Sequence, residues 1–159
     1  MKGFPEVVEV LNEVLCAELT GINQYFIHAM MCRNWGYKKL ADHSRAESIE
    51  EMKHAEQVIE RILYLEGVPN MQRYMKVSVG QDVPEQHRFD LDLERDAVRR
   101  LNDGVELCRA KGDHGSRALL EKILVDEEEH VDWLEAQLHQ IQEMGYERYL
   151  TLQVEGQSE

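Results

Sequence analysis

Ser44-Arg-Ala-Glu-Ser-Ile-Glu-Glu-Met-Lys-His-Ala-Glu-Gln57 is the stretch that decides how this chain folds. Its centre is Glu51-Met-Lys-His54. Glu51 and His54 stand at i and i+3, so on a helix they share one face a turn apart. The same pattern returns as Glu127-Glu-Glu-His130. A lone glutamate precedes each at one distance: Glu18 lies 33 positions before Glu51, and Glu94 lies 33 before Glu127. Two halves that repeat Glu…Glu-x-x-His describe a four-helix bundle with a two-metal carboxylate site at its centre.

Outward from that stretch, the chain divides into four amphipathic segments. Glu6 to about Arg33 reads as the first helix, with Pro5 suited to a first helical position. Its apolar rows are Val8, Leu15, Ile22, Ala29 and Leu11, Glu18, Tyr25, Cys32, so Glu18 takes a core slot in the second. Asn34-Trp-Gly36 reads as a turn. The second helix spans about Tyr37 to Glu66, with an inward stripe through Leu40, Glu47, Glu51, His54, Val58 and Ile62, and Gly67-Val-Pro69 stops it. From Gly67 to Pro84 there is no helical period. That segment is too long for a hairpin between neighbours and predicts a long crossover.

The third helix is expected from about Glu85 to Lys111, with Glu94 where a leucine would ordinarily sit. Gly112-Asp113 supplies a C-cap glycine and then an N-cap. The fourth helix is expected from about His114 to Met144, with Glu127 and His130 on its apolar stripe. Tyr146 to Leu150, reaching about residue 152, predicts a short fifth helix, and Gln153 onward a frayed polar tail. The expectation is one all-α domain over residues 1–159, with the bundle over about 5–144.

Composition narrows the function classes. A net charge of −13 argues against nucleic acid, because nothing offsets phosphate repulsion. No apolar run approaches the roughly 18 to 20 residues of a membrane span, and no signal peptide is legible. Three cysteines, Cys16, Cys32 and Cys108, without a Cys-x-x-Cys, fit reduced thiols in a cytoplasm better than a disulfide framework or a thiolate zinc site.

A single helical glutamate is ordinarily a solvated surface charge. Glu18, Glu51, Glu94 and Glu127 instead all fall on core-facing rows. Burying unpaired carboxylates costs several kcal/mol each, so a cation has to compensate. With His54 and His130 the set offers oxygen and nitrogen donors that suit iron or manganese. Two divalent ions held there, bridged by a glutamate from each Glu-x-x-His helix, can each pass one electron to a shared dioxygen or peroxide.

Over essentially its whole length the chain resembles bacterioferritins, the haem-containing branch of the ferritin family. The resemblance rests on Met1-Lys-Gly3, Ile22-Asn-Gln-Tyr-Phe26, Glu51-Met-Lys-His-Ala55, Arg61-Ile-Leu-Tyr-Leu-Glu-Gly-Val-Pro-Asn70 and Asp126-Glu-Glu-Glu-His130. It implies a ferritin-like bundle in a hollow cage of twenty-four chains that oxidises Fe(II) with dioxygen or hydrogen peroxide and stores ferric mineral, serving iron storage and detoxification. By resemblance, Glu18, Glu51 and His54 serve one iron of a di-iron centre and Glu94, Glu127 and His130 the other, with Glu51 and Glu127 bridging.

Met52 lies about 100° round the helix from Glu51 and points away from that centre. By residue type alone it is a packing methionine. The resemblance makes it the axial ligand of haem b, one methionine from each of two chains related by a two-fold axis, with a small ferredoxin as electron donor. Tyr25, two turns from Glu18, is either a core aromatic or an electron donor in peroxide reduction, and Trp133 has the same two readings. Glu47 and Glu50 are either a solvated face or a secondary iron site that shuttles iron towards the cavity. Ala46 stands where some family members have a histidine for an inner-surface iron. His28, His43, His87, His114 and His139 read as surface histidines.

Alternative functions use the same bundle: a di-iron oxidase or peroxidase that stores nothing, or a mainly haem-bearing subunit of a cage mixed with a second subunit type. The Cys-x-x-Cys pairs of a rubrerythrin-like peroxidase are absent.

Overall fold

The computed structural model describes residues 1–155. Its elements are α1 (Pro5–Trp35), α2 (Lys38–Tyr64), α3 (Val83–Lys111), α4 (His114–Met144) and α5 (Tyr146–Thr151), with no strand among the described residues. α1 pairs with α2 and α3 with α4, while α1 lies along α3. This is the expected four-helix bundle, with a long crossover from α2 to α3 and a short fifth helix. No described helix is long and apolar enough to cross a membrane.

Helix ends differ from the sequence expectation wherever local chemistry offers another cap. α1 runs on through Asn34 and Trp35, because Gly36, at a φ of 88°, takes the left-handed position after the last turn. α2 stops at Tyr64 and not Glu66, which itself adopts a φ of 61°. α3 begins at Val83, two residues before Glu85. The Asp82 carboxylate accepts from the Glu85 N–H at 2.8 Å, and Pro84 falls in the first turn, where it forfeits no hydrogen bond. Asp113 caps α4 through the Ser116 N–H at 3.0 Å and also takes Arg61 Nη2 at 2.8 Å, which ties the start of α4 to the last turn of α2.

Gln153, expected to open a frayed tail, is buried, and its carbonyl accepts from the Lys39 N–H at 3.0 Å. Residues 156–159 of the expected tail lie outside the described residues.

The interior is split. One apolar cluster runs from Val7 and Leu11 through Val58, Ile62, Leu101, Cys108, Leu120 and Ile123. A second surrounds Cys32, Leu40, Val83 and Tyr149 at the other end. Glu51, His54, Glu94, Glu127 and His130 fall between the two, and Glu18 stands next to Leu19 at the inner edge of the first.

The crossover, residues 65–82, has no regular hydrogen bonding of its own, so its backbone groups need partners elsewhere. α1 supplies them at one-turn and two-turn intervals. Asn12 accepts from the Asn70 N–H and donates to Val68 O; Thr20 accepts from the Met75 N–H; Gln24 accepts from the Ser78 N–H. His28 Nε2 accepts from the Gly80 N–H at 3.0 Å. A backbone N–H only donates, so His28 is neutral with its proton on Nδ1, which donates to Asp90 Oδ1 at 2.9 Å. Gln24 Nε2 donates to the same oxygen at 2.8 Å.

His28 is therefore buried, contrary to the surface expectation, and so is His87; His43 is half-buried, while His114 and His139 are exposed. Exchanging Asp90 for alanine leaves two buried donors without an acceptor. Asp90→Ala should cost on the order of 2–3 kcal/mol, read as a drop of several degrees in the Tm of the metal-free protein.

Candidate metal centre

The centre lies where the polar positions of all four long helices meet. α1 brings Glu18, α2 brings Glu51 and His54, α3 brings Glu94, and α4 brings Glu127 and His130, all of them buried. The i, i+3 spacing on α2 and α4 aims a carboxylate and an imidazole inward from one face. Gly21 of α1 makes room for this: a Cβ there would lie 3.0 Å from Glu51 Oε2.

The donor atoms form two overlapping quartets, each with its atoms within 4.8 Å of one another. Glu18, Glu51, His54 and Glu127 make one; Glu51, Glu94, Glu127 and His130 make the other. Glu51 and Glu127 belong to both. His54 Nδ1 lies 3.5 Å from Glu18 Oε2 and 3.1 Å from Glu127 Oε1. His130 Nδ1 lies 3.5 Å from Glu94 Oε1 and 3.3 Å from Glu127 Oε2. Inward-facing oxygens of all four glutamates, and Nδ1 of both histidines, are buried with no hydrogen-bond partner. Orphaned polar atoms on this scale are rare in native interiors. Oxygen and nitrogen donors without thiolate fit a pair of iron or manganese ions.

Electrostatics at the centre are strongly coupled. Burial, reinforced by the Glu127 charge, raises the Glu18 carboxyl. Burial with the neighbouring carboxylates pushes Glu51 and Glu94 well above the ordinary range. For Glu127 burial works the same way, but contacts with Glu94 and both imidazoles outweigh it and hold the group well below. Burial disfavours charge on His54, yet Glu127 and Glu18 overcome it and push the imidazole up to about 11. His130 is raised for the same reason by Glu127, Glu47 and Glu94.

Around this core, Tyr25 OH donates to Glu94 Oε1 at 2.6 Å, and burial keeps the phenol protonated. Glu47 is buried and Glu50 half-buried, so neither is a fully solvated face; both turn to His130 Nε2, at 2.6 and 3.0 Å. Trp133 stacks on His43, ring centroids 3.5 Å apart, and meets His87 edge-on. His87 lies against Tyr149 OH at 3.0 Å, and burial takes its imidazole down to about 3.

Sequence reasoning missed Asp126, whose Oδ2 lies 2.8 Å from His54 Nε2; its place immediately before Glu127 was the available signal. It also missed the buried Gln24–Asp90–His28 cluster, which no spacing announces.

Met52 stands apart from the centre and is 54% exposed. Arg45, Ile49 and Met52 follow one another along an outer row of α2. Arg45 also shares a cavity of about 430 Å³ with Phe26 and Met30 of α1. Phe26, Met30 and Ile49 are all substantially exposed, and Arg33, Lys38 and Asp42 line the same cavity, so this face of the α1–α2 pair sets exposed apolar side chains among charged ones. Ala46 is exposed and offers no ligand.

Comparison with known proteins places the chain. The ferritin-like domain family matches residues 8–144. The chain is 51% identical over 149 residues to bacterioferritin BfrA of Mycobacterium tuberculosis H37Rv, covering 94% of each protein. It is 50% identical to a bacterioferritin of Streptomyces coelicolor, over 98% of this chain and 93% of that one. With a bacterioferritin of Brucella melitensis the identity is 44%, over 94% and 92%. A four-helix bundle with a duplicated Glu…Glu-x-x-His pattern, matched over 94% of its length at this identity, belongs to the bacterioferritin family of ferritin-like proteins.

Proposed function

We propose that this chain binds Fe(II) at the carboxylate–histidine centre, oxidises it, and stores the ferric product as a subunit of a hollow cage of twenty-four chains. The observation that carries this is the pair of overlapping buried quartets, whose inward donor atoms have no partner within the protein. Its similarity to bacterioferritins supports storage and the cage.

In this reading Glu18, Glu51 and His54 hold one Fe(II), Glu94, Glu127 and His130 hold the other, and Glu51 and Glu127 reach both. Two Fe(II) release two electrons. With two protons these reduce hydrogen peroxide to two waters, or dioxygen to hydrogen peroxide. Glu127, kept ionised, is ready for the incoming cation, and the protons displaced from the other carboxyls are available to the reduced oxygen. Tyr25, hydrogen-bonded to Glu94, is assigned as the donor of the second electron for peroxide reduction when a single Fe(II) is bound, the phenol being oxidised by one electron in place of the missing iron. Glu47 and Glu50, beside His130, are assigned to passing iron on towards the cavity. Three free, buried cysteines suit a reducing, cytoplasmic location.

The outer face around Met52, with exposed apolar side chains among charged ones, suits haem b held between two chains. Pairing the face across a two-fold axis covers exposed Phe26, Met30 and Ile49 and brings two thioethers together. Bound there, haem supplies a one-electron path into the cage for reducing stored mineral, with a small ferredoxin as donor.

Glu18→Ala or His130→Ala should lower the initial rate of Fe(II) oxidation about a hundredfold, equivalent to ~2.7 kcal/mol; stopped-flow absorbance at an unchanged rate would remove the ligand assignment. Aerobic loading with excess Fe(II), followed by gel filtration and iron analysis, should give iron far above two per chain on a very large assembly. Iron held at two per chain on a small oligomer favours a non-storing oxidase instead. Met52→Leu should purify without the haem band that the wild type shows in its visible spectrum.

A further inference from the structure

His54 and His130 each use one ring nitrogen inward and one outward. The inward Nδ1 atoms are buried without hydrogen-bond partners. Outward, His54 Nε2 lies 2.8 Å from Asp126 Oδ2, and His130 Nε2 lies 3.0 Å from Glu50 Oε2. Asp126 is the residue immediately before Glu127, and Glu50 the residue immediately before Glu51. Glu50 and Asp126 are 76 positions apart, as are Glu51 and Glu127, His54 and His130, and Glu18 and Glu94. The repeat is thus an acid, then Glu-x-x-His, and each leading acid crosses to the histidine of the other repeat. An acid one residue before an inward glutamate is turned about 100° from it, sideways towards the neighbouring helix.

We propose that Glu50 and Asp126 are a matched pair of positioning residues that cross-brace the two ligand histidines between α2 and α4. This rests on the di-metal reading above. Each carboxylate takes the Nε2–H, which holds the ring against flipping and leaves Nδ1 as the nitrogen presented to a divalent cation. Outer carboxylates of this kind orient imidazole ligands and raise their basicity. Glu50 and Asp126 are themselves half-exposed at the edge of a surface basin of about 400 Å³, so replacing either opens no hole in the core.

The brace is not symmetric. Glu47 Oε2 also lies 2.6 Å from His130 Nε2, whereas the position 76 residues after Glu47 is Ile123, so no carboxylate backs His54 in the same way. His54 depends on Asp126 alone, while beside His130 the Glu47 Oε2, buried with no hydrogen-bond partner of its own, is placed to take the Nε2–H if Glu50 is removed.

Anaerobic Co(II) titration of the intact, metal-free assembly, followed by visible absorption and calorimetry, separates these roles without turnover. Wild type should take up two Co(II) per chain. In Asp126→Ala one of the two should weaken about 10- to 100-fold. Asp126→Asn, whose amide oxygen still accepts from Nε2–H, should recover most of that loss with an unchanged metal-free Tm. Glu50→Ala should lose less than Asp126→Ala, because Glu47 remains. Two Co(II) on wild type bound equally tightly by Asp126→Ala overturns the cross-brace and leaves the di-metal reading standing. Fewer than two on wild type overturns the di-metal reading and the brace with it. A Glu50→Ala loss as large as that of Asp126→Ala overturns the asymmetry assigned to Glu47.

Discussion

Four carboxylates and two imidazoles, enclosed where water does not reach, have no comfortable charge state of their own. Fully ionised, the carboxylates repel one another at low dielectric; fully protonated, they leave acceptors and donors unmatched. Burial raises three of the carboxyls, while the neighbouring imidazoles and Glu94 hold Glu127 low and the carboxylates hold both imidazoles high. The rest of the structure bears the cost of burying these groups. Apolar clusters at both ends of the bundle supply cohesion that the polar middle does not.

The crossover solves a second problem with the same economy of residues. A segment without helix or strand must find partners for its backbone N–H groups, and α1 provides them from Asn12 to His28. The ladder ends on Asp90, one helical turn before Glu94 on α3. Tyr25, between Gln24 and its neighbours on α1, reaches Glu94 itself. Hydrogen bonds that fasten the crossover and hydrogen bonds that steady a ligand thus share one α1–α3 seam. Errors in the crossover should be felt at Glu94 and the buried cluster through α3.

The outer face follows a different logic. Met52 is next in sequence to Glu51, yet the helical turn sends one side chain into the core and the other to the surface. One short stretch of α2 therefore faces the buried carboxylate–histidine cluster on one side and the outer surface on the other. The exact phase of α2 thus sets both placements, because a small rotation of the helix would misplace Glu51 and Met52 together.

Periodicity alone determined the all-α bundle, the long crossover and the six inward Glu and His positions, because a 3.6-residue repeat and an i, i+3 pair are properties of the chain read one helix at a time. Family motifs added Met52. Contacts between helices were not legible in that way. His28 and His87 look like any polar helical residues, and only the packing of α1 on α3 and of α5 on the bundle end buries them. Asp126 could be read as a solvated acid until α2 and α4 came together and set it on His54 Nε2. Helix ends at Trp35, Tyr64 and Val83 were decided by caps whose geometry depends on a single φ or one side-chain oxygen. Sequence fixes which face a residue occupies; which atom it meets across that face is settled only when the neighbouring helix, with its own phase, arrives.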